Sequence, residues 1–248
     1  MTYRSMIAEE IFYRGHEGDQ VQAYVARPLG DGPFGSVIVI HHMPGWDAGI
    51  MEIARKIADQ GYLTIAPNLY TRFGTGDPDE VAAVARAAGG TPDATFVGDT
   101  AGAIDYLRLM PTSNGKVGII GFCSGGRHAV LAASSLDNLD AAVDCWGGLV
   151  IASEEQLDEN HPVAPFDMTA NLASPLLGIF GNDDASPTPE QVNQHEEALK
   201  QHGKTYKFNR YDGAGHGFFS VNRPGYRAAQ ATTAWVEVFK WYDRYLSA

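Results

Sequence analysis

The feature that most constrains the fold is the segment KVGIIGFCSGG at residues 116–126. Its apolar half predicts a short buried strand, and the RHAVLAASSL that follows predicts a helix. The tight turn between them has the G-x-S-x-G pattern of a nucleophile elbow, with Cys123 in place of the serine. A side chain on such a turn projects above the sheet at the positive end of a helix, which favours a thiolate and stabilises an oxyanion. Cys123 is therefore the candidate nucleophile.

Two other interpretations of this turn stay open from its residues. Cys123 would be an ordinary buried thiol if the glycines only close the turn, since free cysteine is among the most buried residue types. A phosphate-binding turn is the second alternative, but GFCSGG has neither G-x-G-x-x-G spacing nor a GK[ST] ending.

Length and composition predict one globular domain over residues 1–248, because α/β domains of this size are commonly single. The N-terminus has acidic residues where a signal peptide would be apolar, and no stretch is long enough to cross a bilayer, so we expect a cytoplasmic protein away from membranes. A net charge of −12 argues against a nucleic-acid partner. The oligomeric state stays open between a monomer and a small homo-oligomer.

Strands and helices are predicted to alternate along the chain, which indicates a mostly parallel central sheet with helices on both faces. Beyond the elbow, strands are predicted at residues 21–27, 36–40, 62–66, 141–145, 175–180 and 205–211, with helices around residues 50–58, 81–88, 97–107 and 235–246. The polar residues 149–174 are interpreted as an excursion or partial lid.

A loop of polar residues, HHMPGWD at residues 41–47, follows the buried strand at 36–40. In an elbow hydrolase this position supplies the second oxyanion donor, so the backbone N–H of Met43 is predicted to act with that of Ser124. A metal site at His41 and His42 is the alternative, but no third ligand stands at a recognisable spacing, and no metal is expected.

Two further motifs complete a catalytic set. Asp183 and Asp184 come just after a strand, where a carboxylate can orient a histidine, and from their position alone either can do so. His216 lies in a glycine-rich loop, GAGHG, which suits a general base better than a packing residue. The order nucleophile, acid, histidine is the order of the α/β-hydrolase fold.

With these motifs placed, the sequence resembles the dienelactone hydrolase family, also called carboxymethylenebutenolidases, along nearly its whole length. GFCSGG matches the family's G-x-C-x-G-G pattern, and GNDDASP and GAGHGF match its aspartate and histidine motifs, with one proline a position early. The resemblance implies an α/β-hydrolase fold and marks Cys123, Asp184 and His216 as the triad.

One departure from the family pattern bears on thiol activation. The family typically has His-Glu after its second strand, whereas this chain has His41 and His42. An imidazole at His42 would favour the thiolate and change which substrates fit. The family's substrate-binding arginines do not transfer directly; Arg223 is the first candidate here and Arg72 the next.

The predicted activity is therefore hydrolysis of a small lactone or ester through an acyl-enzyme, with no cofactor. A general carboxylesterase or thioesterase would use the same triad, and a ligand-binding or thiol-sensing protein would keep the activated cysteine without turnover.

Overall fold

A computed structural model describes residues 5–221 and 223–248. Its centre is an eight-stranded sheet in the order β1-β2-β4-β3-β5-β6-β7-β8. β1 and β2 pair with each other, and β2 with β4, in antiparallel fashion; every pair from β4 to β8 is parallel. The strands are β1 Met6–Arg14, β2 Gln20–Pro28, β3 Phe34–Ile40, β4 Leu63–Pro67, β5 Ser113–Phe122, β6 Ala141–Cys145, β7 Leu176–Gly181 and β8 Tyr206–Tyr211.

Within the described residues, six α-helices connect or flank these strands. They are α1 Ala48–Asp59, α2 Pro78–Ala87, α3 Asp93–Arg108, α4 Ser124–Ser135, α5 Pro189–Gln201 and α6 Ala228–Leu246. Apolar side chains from α1 and α6 form one buried cluster with the sheet, and side chains from α2, α3, α4 and α5 form the other. Both faces of the sheet are therefore covered, as a parallel sheet requires, and the predicted fold class is confirmed.

The second half of the central strand β5, residues 117–122, is buried on both sides, which is why its sequence is a continuous apolar run without alternation. The predicted strands and helices all form, with ends shifted by a few residues. The stripe on α6 is core packing: Val238, Tyr242 and Leu246 are fully buried.

Two elements were missed from the sequence. β1 is an edge strand with mostly exposed side chains, so it lacks the apolar alternation that would have revealed it. α5 begins with Pro189 after Thr188, whose side chain forms a capping box with Gln191. That capping signal was available in the sequence.

The segment 149–174 contains two short 3₁₀ helices, Glu154–Gln156 and Pro165–Asn171. Its second half packs down on the body of the protein, because Ala164, Thr169 and Leu172 are buried. None of the helices in residues 5–221 and 223–248 has the length and apolar character needed to span a membrane.

Candidate active site

Cys123 is the single residue between β5 and α4, at the elbow. Its backbone has φ 57° and ψ −120°, a strained conformation for a residue with a side chain. A side chain at Gly125 would stand 2.6 Å from the carbonyl oxygens of Ile40 and His41. The turn therefore needs its small residues because α4 begins directly against the end of β3.

A buried ion pair anchors the first turn of α4. The guanidinium of Arg127 donates to both oxygens of Asp93 at 2.6 and 2.8 Å, and both side chains are almost fully buried. Asp93 is the first residue of α3. The fork geometry of this pair fixes the start of α4, and with it the elbow, relative to a neighbouring helix.

The structure brings Asp184 and His216 together at the ends of neighbouring strands. Nδ1 of His216 lies 2.9 Å from Oδ2 of Asp184, whose side chain is buried. The other carboxylate oxygen accepts the N–H of Ser186 at 2.9 Å. Asp183 instead contacts the histidine loop through its backbone, donating to the carbonyl of Ala214. Of the two aspartates, Asp184 is thus the one whose carboxylate meets the imidazole.

His216 also interacts with the thiol of Cys123, since each group shifts the pKa of the other, so the imidazole couples the thiol to Asp184. Hydrogen bonds to Asp184 and then to Cys123 raise the pKa of His216 to about 10. Burial raises the pKa of the Cys123 thiol, but hydrogen bonds from His216 and from the N–H groups of Ser124 and Met43 outweigh burial and leave the pKa below that of an ordinary thiol. The pair therefore favours thiolate and imidazolium.

The backbone N–H groups of Met43 and Ser124 also interact with the thiol of Cys123 and help to lower its pKa. Ser124 is the first residue of α4, so its N–H is one of the donors that a helix start leaves unpaired. Met43 lies on the loop after β3. The sequence predicts these two N–H groups as the oxyanion donors, and that role stays a prediction.

The Met43 loop is held by side chains on either side of it. The hydroxyl of Tyr70 donates to the carbonyl of Met43 at 3.1 Å, and Arg86 reaches the same oxygen at 3.4 Å. His42 Nε2 lies 3.0 Å from Asp47, which also caps α1 by accepting the N–H of Ile50. Nothing in the sequence pattern had indicated that Tyr70 reaches this loop.

The contact of His42 with Asp47 differs from the expectation that His42 would act on the thiol. The groups that lower the pKa of Cys123 are His216, Ser124 and Met43. The imidazole of His42 is thus placed to tie its loop to the start of α1. A role of His42 in substrate binding stays a prediction.

The two candidate arginines lie in different surroundings. Arg72 forms a two-pronged ion pair with Asp99 at 2.8 and 2.9 Å and a further bond to Asp19 at 2.8 Å. The side chain of Asp99 is fully buried, so Arg72 already compensates a carboxylate within the protein. Arg223 is exposed in the segment between His216 and α6. Binding of a substrate by either arginine stays a prediction, and the contacts of Arg72 do not favour it.

A cavity of about 340 Å³ lies beside Tyr70. Its walls include Trp46, Met51, Pro78 and Val81, with Glu10 among the polar groups at its edge. Because Tyr70 borders the cavity and also bonds the Met43 carbonyl, the cavity adjoins the loop that carries Met43.

The parallel sheet, the strained elbow and the carboxylate–imidazole pair define a hydrolase of the α/β-hydrolase fold. Residues 21–246 match the dienelactone hydrolase family, and the chain belongs to that family. It acts as a hydrolase of ester or lactone bonds, in line with this membership.

Similar proteins agree with this assignment. An Escherichia coli protein named "Putative carboxymethylenebutenolidase" is 35% identical over 238 residues, which cover 92% of this chain and 84% of that protein. A crystal structure from Klebsiella pneumoniae, named "Putative Dienelactone Hydrolase", is 32% identical with a TM-score of 0.88, covering 97% of this chain and all of the other. A dienelactone hydrolase-like promiscuous phosphotriesterase from metagenomic libraries shares the fold at 21% identity and a TM-score of 0.79, covering 98% of this chain and all of that one.

Proposed function

We propose that this chain hydrolyses small lactones or esters through a Cys123-His216-Asp184 triad and an acyl-enzyme. One observation carries the proposal: Asp184 lies 2.9 Å from the imidazole of His216, and the same imidazole interacts with the thiol of Cys123. That chain of contacts is the arrangement by which a base activates a nucleophile and a carboxylate orients the base.

The reaction begins with attack of the Cys123 thiolate on the carbonyl carbon. The carbonyl π electrons move to oxygen, where the N–H groups of Met43 and Ser124 stabilise the charge. As the C–O bond of the ester or lactone breaks, His216 gives its proton to the leaving oxygen. Asp184 keeps the imidazole in the tautomer that points Nε2 at the thiol and stabilises its positive form.

Water completes the cycle. His216, now neutral, takes a proton from a water molecule that attacks the thioester carbon, and the second tetrahedral intermediate uses the same two N–H donors. Its collapse releases the acid and returns the sulfur as thiolate beside the imidazolium. For a lactone the acid and alcohol stay in one molecule, so a single ring-opened product leaves.

We further propose that the part of the substrate away from the scissile bond enters the cavity beside Tyr70. Its walls combine apolar side chains with polar ones, Gln22 and Asn68 among them, as small-molecule sites do. A volume of about 340 Å³ suits a small organic group.

The direct test compares two cysteine variants. Cys123→Ala should abolish hydrolysis of an activated aryl ester while the circular dichroism spectrum and melting temperature stay close to those of the native protein. Cys145→Ala is the matched control, because Cys145 is a buried thiol on the neighbouring strand β6. Full activity in Cys123→Ala would refute the proposal. Comparing rates on a dienelactone and on simple aryl esters separates a lactone hydrolase from a general esterase.

A further inference from the structure

His41 is a fully enclosed histidine directly after β3, with 2% of its surface exposed. Its Nδ1 lies 2.8 Å from the carbonyl oxygen of His42, and its Nε2 accepts the N–H of Leu69 at 3.2 Å. A carbonyl oxygen can only accept and an amide N–H can only donate, so the two partners fix one tautomer. Nδ1 carries the proton and Nε2 is unprotonated.

The charge state agrees with that geometry. Burial lowers the pKa of His41 to about 4, so the imidazole is neutral throughout the neutral range. A proton on Nε2 would also face the N–H of Leu69, donor against donor. The ring of Tyr70 packs edge-on against it with centroids 4.7 Å apart, which limits rotation of the imidazole.

The carbonyl that His41 binds belongs to the same peptide group as the Met43 N–H. That carbonyl, on His42, also accepts the N–H of Gly45 at 2.9 Å. Two donors on the oxygen of one amide fix its plane, and they also draw electron density from its nitrogen. Chains of hydrogen bonds polarise one another in this way, so the N–H at the other end of the amide becomes a stronger donor.

We propose that His41 is a positioning residue that orients and polarises the His42–Met43 peptide group, so that the Met43 N–H stabilises the oxyanion of the transition state. This inference rests on the proposed function. His41 touches neither the thiol nor the substrate in this role. It acts through the carbonyl on the opposite side of the peptide.

The first test replaces the imidazole by a ring of similar shape. His41→Phe removes both hydrogen bonds and should lower kcat about 10- to 100-fold with KM changed less than about twofold, since loss of one whole oxyanion donor costs about 10²–10³. His41→Asn keeps an N–H for the His42 carbonyl and should recover most of kcat. His195→Phe is the matched control, because His195 is also a buried histidine, packed among Phe166 and Phe208. That control should keep native kcat.

A second readout separates positioning from general damage. A small aldehyde adds to the Cys123 thiolate and places a charged oxygen where the oxyanion forms, whereas alkylation by iodoacetamide places none there. At a pH where the thiol is ionised in both proteins, His41→Phe should weaken aldehyde inhibition by about the factor lost in kcat and leave the alkylation rate within about twofold. Equal aldehyde affinity in both proteins, or equal loss of both reactions, would overturn the proposal.

The native protein offers a check that needs no variant. Nitrogen-15 NMR of the His41 ring should show a protonated Nδ1 and a bare Nε2 from about pH 6 to 9. A protonated Nε2 in that range would overturn the proposal even if His41→Phe does not fold. If Cys123→Ala keeps its activity the proposed function fails; if only His41→Phe keeps native kcat, the positioning role alone fails.

Discussion

Nδ1 of His216 lies 2.9 Å from Oδ2 of Asp184, and the same imidazole interacts with the thiol of Cys123. The three residues stand after different strands: Cys123 follows β5, Asp184 follows β7 and His216 follows β8. Their meeting depends on the parallel pairing of β5 to β8, because parallel strands bring their carboxyl ends to one edge of the sheet.

The carboxylate of Asp184 should control the charge of His216. Its hydrogen bond is the largest cause of the raised pKa of His216, so Asp184→Asn should lower that pKa and lower kcat by about 10²–10⁴. The neighbouring Asp183→Asn should leave kcat close to native, because Asp183 meets the histidine loop through its backbone. Steady-state kinetics of the two variants test this prediction. A similar loss of kcat in both variants would contradict the assignment of Asp184.

The pH dependence of two reactions of Cys123 should diverge at high pH. Because the pKa of the thiol is lowered, the thiolate fraction rises with pH and alkylation by iodoacetamide should reach its plateau below the pH of an ordinary thiol, about 8.5. Hydrolysis should fall again near pH 10, where His216 loses the proton that the leaving oxygen needs. Alkylation needs no proton donor and should stay on its plateau there. Parallel profiles for both reactions would contradict the role of His216 as acid.

The two arginines predicted from sequence should behave differently. Arg72→Ala leaves the buried carboxylate of Asp99 without its partner and should lower the free energy of unfolding by about 3–5 kcal/mol, measured by urea denaturation. Arg223→Ala changes an exposed residue and should alter stability by less than about 0.5 kcal/mol. If Arg223 binds a substrate carboxylate, its loss should raise KM for an anionic lactone and leave KM for a neutral ester unchanged. If KM for the anionic lactone is the same in Arg223→Ala as in the native protein, Arg223 does not bind the substrate.

Filling the cavity beside Tyr70 should select against larger substrates. Val81 lines that cavity, and Val81→Phe places a larger ring within it. We expect KM for an ester with a bulky apolar group to rise about tenfold and KM for a methyl or acetate ester to stay within twofold. Val84→Phe, at an exposed position of the same helix, is the control. Unchanged KM for the bulky ester would place the substrate elsewhere.

Much of the fold and the candidate site could be predicted because both depend on local signals. The apolar run before Cys123, the small residues around it and the RHAVLAASSL that follows define a strand, a turn and a helix within the 21 residues 116–136, and the other two motifs also stand at strand ends. β1 was not predictable in the same way, because an edge strand is stabilised by its backbone pairing with β2 and not by an apolar face.

The partners of the loop after β3 depend on tertiary contacts. His42 was expected to act on the thiol because it stands where the family has a glutamate, but Asp47, five residues on, lies 3.0 Å from its ring. His41 bonds Leu69, which belongs to the connection after β4. No spacing rule in the sequence links His41 to Leu69, since their contact requires β3 and β4 to be neighbours in the sheet.

The central claim is that a covalent acyl-enzyme forms on Cys123. Rapid acid quenching of the reaction with a slowly hydrolysed aryl ester, followed by intact-protein and peptide mass spectrometry, measures it most directly. We expect one added acyl group on the peptide that contains Cys123, absent from Cys123→Ala and present in Cys145→Ala. Turnover of the ester with no acyl group on Cys123, in a protein whose deacylation is slow enough to trap, would contradict it.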